Sequence, residues 1–145
     1  MKKMIFTGVL LMLFSFTAMA QSNEDILPQN SKDFIAKHFA QASIAKVDKE
    51  DGWLDWDKNE MYEVRFDNGI KLDFDENGNV TEIDSKRGEG IPVEALPAKI
   101  RQYLEESYSG IEVVSWEMDS RDQEVKLADG TELEFDRNGN FLKLD

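Results

Sequence analysis

Two stretches of this chain have the residue types and spacing of a metal site. Asp73-x-Asp75-x-Asn77-Gly78, followed by Val80 and then Asp84, sets oxygen donors at alternate positions around a glycine. An EF-hand loop surrounds calcium with this pattern. Glu134, Asp136, Asn138, Gly139, Phe141 and Asp145 repeat the spacing further along. The chemistry would be ion capture, with Asp73, Asp75, Asn77 and Asp84 as ligands. An EF-hand also needs a helix on each side, whereas Ile70 to Phe74 alternates apolar and polar with the period of a strand. Asn77-Gly78 and Asn138-Gly139 then read as β-turns, because Asn and Gly accept the backbone conformations that such turns require. The turn is the expected reading, and weak calcium or other cation binding by the acidic turns is its alternative.

A second candidate chemistry is recognition. Trp53 and Trp56 lie among Asp51, Asp55, Asp57 and Lys58, in a polar segment between two strand-like stretches. Tryptophan dominates the energetics of many interfaces, so the pair could anchor a protein partner. The competing expectation is that both rings fold back onto the sheet. Glu63, Arg65, Lys71, Glu124 and Lys126 fall on the solvent side of predicted strands and could form a docking face, or simply a solvated face with cross-strand ion pairs. His38, the sole histidine, sits in an apolar helical stripe and is expected to pack rather than react. No nucleophile motif, zinc signature or phosphate-cradling glycine loop is present. Carboxylates are abundant, but a small meander offers no deep pocket in which two of them could acquire different proton affinities. The expectation is a protein that is not an enzyme and carries no cofactor.

The elements that must position these residues follow from periodicity. Leu27-Pro28 opens a helical stripe of Phe34, Ile35, His38 and Phe39, and Leu96-Pro97 opens another of Ile100, Tyr103, Leu104 and Tyr108. The offset between them is constant at 69, and it extends through Ile44 to Val47 against Val113 to Trp116. The period then changes to two. Tyr62, Val64 and Phe66 alternate with Glu63, Arg65 and Asp67, and Gln123, Val125 and Leu127 with Glu124 and Lys126. Asn68-Gly69 and Asp129-Gly130 mark tight hairpins. Ile70 to Phe74 and Val80 to Ile83 complete the first set, and the equivalents Leu133 to Phe135 and Phe141 to Leu144 stand at an offset of 61. The eight extra residues of the first set fall between its first two strands, where the tryptophans are.

The expected fold class is α+β, built as two tandem units, each a helix plus a four-stranded antiparallel meander, with the helices packed on one face of the sheet. A unit of ~55 residues is marginal alone, so the two are expected to dock by extending one sheet into the other. Leu-Pro, an amphipathic helix ending in an aromatic residue, an Ile/Val strand, and then Tyr62-Glu63-Val64 with Phe74 to Asn79 resemble the PepSY-like family. That resemblance covers nearly all of the chain after residue 20. It implies exported bacterial proteins whose fold is likened to the β-lactamase-inhibitor protein, with a role in binding or inhibiting other proteins. No inhibitor contact residue matches a position here, and the chain lacks the inhibitor's disulfides.

Composition narrows the partners and the compartment. Lys2 and Lys3, the apolar run Met4 to Phe16 and Ala18-Met19-Ala20 form the pattern of a cleavable signal peptide over residues 1–20. The first unit is then 21–91, with a short linker, and the second 92–145. The chain holds 30 acidic and 17 basic side chains, a formal charge of −13, which becomes −15 once the leader and its two lysines are removed. Such a field repels nucleic acid and anionic lipid, and it favours a protein or peptide with a basic surface. There is no cysteine, hence no lipid-bearing cysteine and no disulfide framework. The expected location is periplasmic or secreted, without membrane insertion after cleavage.

Overall fold

Alternating side chains let each strand bury one face, and here all such strands join one sheet. The structure, a computed structural model, describes residues 23–50 and 61–145. A 3₁₀ turn at Glu24–Ile26 leads into α1 (Gln29–His38), followed by β1 (Ile44–Lys49), β2 (Tyr62–Phe66), β3 (Ile70–Phe74) and β4 (Val80–Ser85). A second 3₁₀ turn at Val93–Ala95 leads into α2 (Ala98–Ser107), then β5 (Val113–Met118), β6 (Asp122–Leu127), β7 (Glu132–Asp136) and β8 (Phe141–Leu144). Strand order in space equals order in sequence, β1 to β8, and every neighbouring pair is antiparallel.

This architecture corrects the expectation of two tandem helix-plus-meander units. Among the described residues the fold is a single eight-stranded antiparallel sheet with two helices. The physical reason lies at β4 and β5, which pair Glu82 with Glu117, Ile83 with Trp116 and Asp84 with Ser115. Ile83 and Trp116 are buried at this seam and belong to the same apolar cluster as Val64, Leu72, Val125 and Leu133. Removing that much apolar surface from water at the seam makes one continuous core under the whole sheet.

Both helices lie on the apolar face. Pro28 and Pro97 stand one residue before their helices in extended conformation and set the angle of entry. Phe34 of α1 meets Phe74 edge-on at 6.0 Å, and Phe39 stacks on Phe66 at 5.4 Å. In α2, Ile100 and Leu104 are buried, and Tyr103 meets Phe135 edge-on at 5.4 Å. Trp116 is buried with its indole N–H donated to Gln123 Oε1 at 3.1 Å; Gln123 Nε2 in turn donates to the carbonyls of Asp136 and Arg137. A buried indole needs such a partner.

The turns lock the helices to the sheet. Asp75 accepts the amides of Asn77 (2.9 Å) and Asn79 (2.8 Å) and the Asn79 side chain, and Asp136 does the same for Asn138 and Asn140. Gly78 and Gly139 take φ of +81°, which side chains disfavour. The Gly78 turn presses against the start of α1: Ser31 Oγ donates to the Gly78 carbonyl and Asn30 Nδ2 to that of Asn77.

Candidate functional site

Antiparallel register does on the outer face what no local pattern shows. Reading straight across the strands gives Asp48, Glu63, Asp73, Glu82, Glu117, Glu124, Glu134 and Lys143 as successive partners. Seven carboxylates thus stand in one row across the whole sheet, closed by a single lysine. The adjacent row reads Lys46, Arg65, Lys71, Asp84, Ser115, Lys126 and Glu132. Basic side chains therefore balance the acids over β1 to β3. From β4 to β7 acids prevail, with Lys126 the one basic residue of the two rows there.

Each predicted contact residue has a definite place in this pattern. Glu63 and Arg65 lie on β2 and bond each other at 2.6 Å. Lys71 on β3 bridges Asp73 at 2.6 Å and Glu82 at 3.0 Å. Glu124 and Lys126 lie on β6, and Lys126 pairs with Glu132 on β7. All five share the outer face, in two groups separated by β4 and β5. Trp53 and Trp56 lie outside the described residues. Glu82 and Glu117 join the row and were missed; only the pairing of β4 with β5 sets them opposite each other, and no turn signal joins those strands.

Asp73 is only 2% exposed, although alternation places it on the outer face. Burial pushes its carboxyl up to about 7; Glu82 beside it adds to the rise and Lys71 opposes it. Burial would lower Lys71, but its bonds to Asp73 and Glu82 outweigh that and raise it. Glu124 is also raised, by burial first and then by Glu132 and Asp145. For both carboxyls burial is the first cause of the rise and neighbouring acids add to it.

The candidate cation ligands are not gathered. Asp75 is engaged by its own turn, Asp73 by Lys71, and Asp84 by Lys86. Among the described residues no group of three or more His, Asp or Glu side chains could hold a metal ion. On the opposite face are two open grooves, one of about 690 Å³ between the end of α1 and residues 90–93, the other of about 520 Å³ between α1 and the start of α2. Lys37 and His38 line both, and Glu94 and Arg101 line the second. His38 is half-buried against Phe34 at 4.8 Å, and burial, with Lys37 nearby, holds its imidazole below the usual range.

Comparison with known proteins follows the fold. The family described as "Putative beta-lactamase-inhibitor-like, PepSY-like" matches residues 60–143. A "putative calcium-regulated periplasmic protein" from Bacteroides thetaiotaomicron is 37% identical, with a TM-score of 0.72 over 83% of this chain and 91% of its own. A "putative periplasmic protein" from Bacteroides vulgatus is 36% identical, with a TM-score of 0.73 over 83% and 91%. Another from the same species, "of unknown function", is 32% identical with a TM-score of 0.68 over 84% and 94%. No curated protein matches. These neighbours are described as periplasmic, and no helix among the described residues of this chain is long and apolar enough to cross a membrane.

Proposed function

Because the chain belongs to the PepSY-like family, we propose that it is an exported, non-catalytic binding module that presents its outer sheet face to a basic segment of a protein or peptide. The signal-peptide pattern of residues 1–20 would deliver it to the compartment in which its relatives are described. One observation carries the reading: the unbroken row of seven carboxylates. Like charges placed directly opposite each other destabilise a sheet. A fold that repeats this arrangement in seven adjacent strands gives up stability along a line suited to an extended cationic chain. Lys and Arg side chains of such a chain would meet Glu82, Asp84, Glu117 and Glu124, and in this reading Trp53 and Trp56 supply an apolar anchor.

Calorimetric titration with an oligolysine peptide tests this. Replacing Glu82, Glu117 and Glu124 together by Gln is expected to weaken binding on the order of tenfold at low salt, at about 0.5 kcal/mol for each charge removed. Binding of wild type should also fall steeply as salt rises. Equal affinity of the triple variant and wild type would refute the proposal. Trp53→Ala with Trp56→Ala reports separately on the anchor, and an unchanged affinity removes the loop from it.

A second reading draws on the name of the Bacteroides thetaiotaomicron relative, which is described as calcium-regulated. In it Asp73, Asp75, Asn77 and Asp84 respond to calcium. Calorimetry showing no heat at millimolar calcium disposes of it.

A further inference from the structure

Among the described residues the sheet ends at β1 and β8, and these two edges are complementary. β8 follows the Asp136 turn as β4 follows the Asp75 turn, with a register shift at the same place in each. β1 follows α1 as β5 follows α2, again with matching shifts, between Ile44 and Lys46 and between Val113 and Ser115. Inside the chain β4 pairs with β5. The strand equivalent to β4 lies at one edge and the strand equivalent to β5 at the other, so the molecule carries both halves of a joint that it uses once internally.

We propose that β8 of one copy pairs antiparallel with β1 of the next, in the register of β4 with β5. Transferring Glu82–Glu117, Ile83–Trp116 and Asp84–Ser115 to the edges sets Lys143 opposite Asp48, Leu144 opposite Val47 and Asp145 opposite Lys46. Both outer-face pairs are then of opposite charge, and the inner-face pair is apolar. In the isolated chain Lys46 pairs with Asp48 on its own strand at 2.7 Å, and Lys143 pairs with Asp145 at 2.5 Å and with Glu134 of β7 at 3.0 Å. Either can be shared with a neighbour without burying an unpaired charge.

Exposure gives the same direction. Ile83 is 0% exposed because β5 lies beside it, whereas Leu144, its equivalent on β8, is 55% exposed. Leu142 and Phe141 are exposed too, so β8 holds three of the five large exposed apolar side chains among the described residues. An apolar, unpaired edge is a template for another strand. A joint between unlike edges is heterologous and leaves a free β8 and a free β1 at the ends, so assembly continues past the dimer. This goes beyond the proposed binding of a basic segment and involves the edges rather than the middle of the sheet.

Sedimentation velocity at low ionic strength, from micromolar to millimolar protein, is the test. Wild type is expected to form species larger than a dimer as concentration rises. Exchanging the charges on β8, Lys143→Asp with Asp145→Lys, should abolish assembly, as should Lys46→Asp with Asp48→Lys on β1. Mixing the two exchanged proteins should restore it, because each then finds its complement. Circular dichroism and urea curves matching wild type establish that the variants are folded. A wild type that stays monomeric to millimolar concentration overturns the proposal. So does a β8-exchanged protein that assembles like wild type, since a β8-to-β8 pairing would keep its complementarity through that exchange. Failure of the mixture to assemble overturns it as well. Oligolysine binding is measured independently, so loss of one property leaves the other standing.

Discussion

At the residue scale the outer face is decided by crowding as much as by charge. Asp73 lies on the side of β3 that alternation assigns to solvent, yet it is buried beside Lys71 and Glu82. Its carboxyl is raised to about 7, by burial first, so between pH 4 and 7 the native state binds a proton that the unfolded state has released. The contribution of Asp73 to stability is therefore greatest at the acid end and is lost as pH rises through about 7. Carboxyl carbon NMR should show Asp73 titrating near neutrality, and Asp73→Asn should flatten this component of the stability profile. A midpoint near 4 would show that Lys71 dominates instead. The types and spacing of Asp73 and Glu82 are legible in the sequence. Their burial is not, because it depends on which side chains neighbouring strands bring alongside.

At the scale of elements, the hairpins were the most legible part. Asn-Gly and Asp-Gly pairs flanked by alternating residues specify turn and register together, and Tyr62–Phe74 and Asp122–Asp136 pair as that predicts. What the turns do for the helices was not legible, because it depends on how closely they approach. A side chain at Gly78 would meet Pro28 Cβ at 2.7 Å and Ser31 Oγ at 2.8 Å; at Gly139 it would meet Lys99 Cβ at 3.0 Å, and at Gly88 nothing within 4 Å. All three have positive φ, so an alanine at each costs about 1–2 kcal/mol from the backbone alone. Urea denaturation is expected to rank Gly78→Ala as most damaging, about 2–4 kcal/mol, then Gly139→Ala, then Gly88→Ala. Equal losses at all three would mean that the turns do not brace the helices.

At the scale of the whole molecule, the division into two tandem units failed at one seam. The offsets of 69 and 61 are real features of the sequence, and the small size of each repeat points to one sheet extending into the other, but repetition does not reveal which strands meet. β4 and β5 are separated by α2, carry glutamates opposite each other, and have no turn chemistry between them to announce a pairing. Burial of Ile83 and Trp116 on the inner face outweighs that repulsion and joins the halves. The joined sheet in turn produces the acidic row and leaves β1 and β8 as edges, so the proposed binding face and the proposed assembly both originate at this seam.

The central claim is that the outer face between β4 and β6 is where a basic partner sits. Amide chemical-shift mapping with an oligolysine peptide locates the contact directly. The account predicts saturable shifts at Glu82, Asp84, Glu117 and Glu124 that disappear in the triple glutamine variant. Shifts centred instead on His38, Glu94 and Arg101, in the groove between the helices, would contradict it.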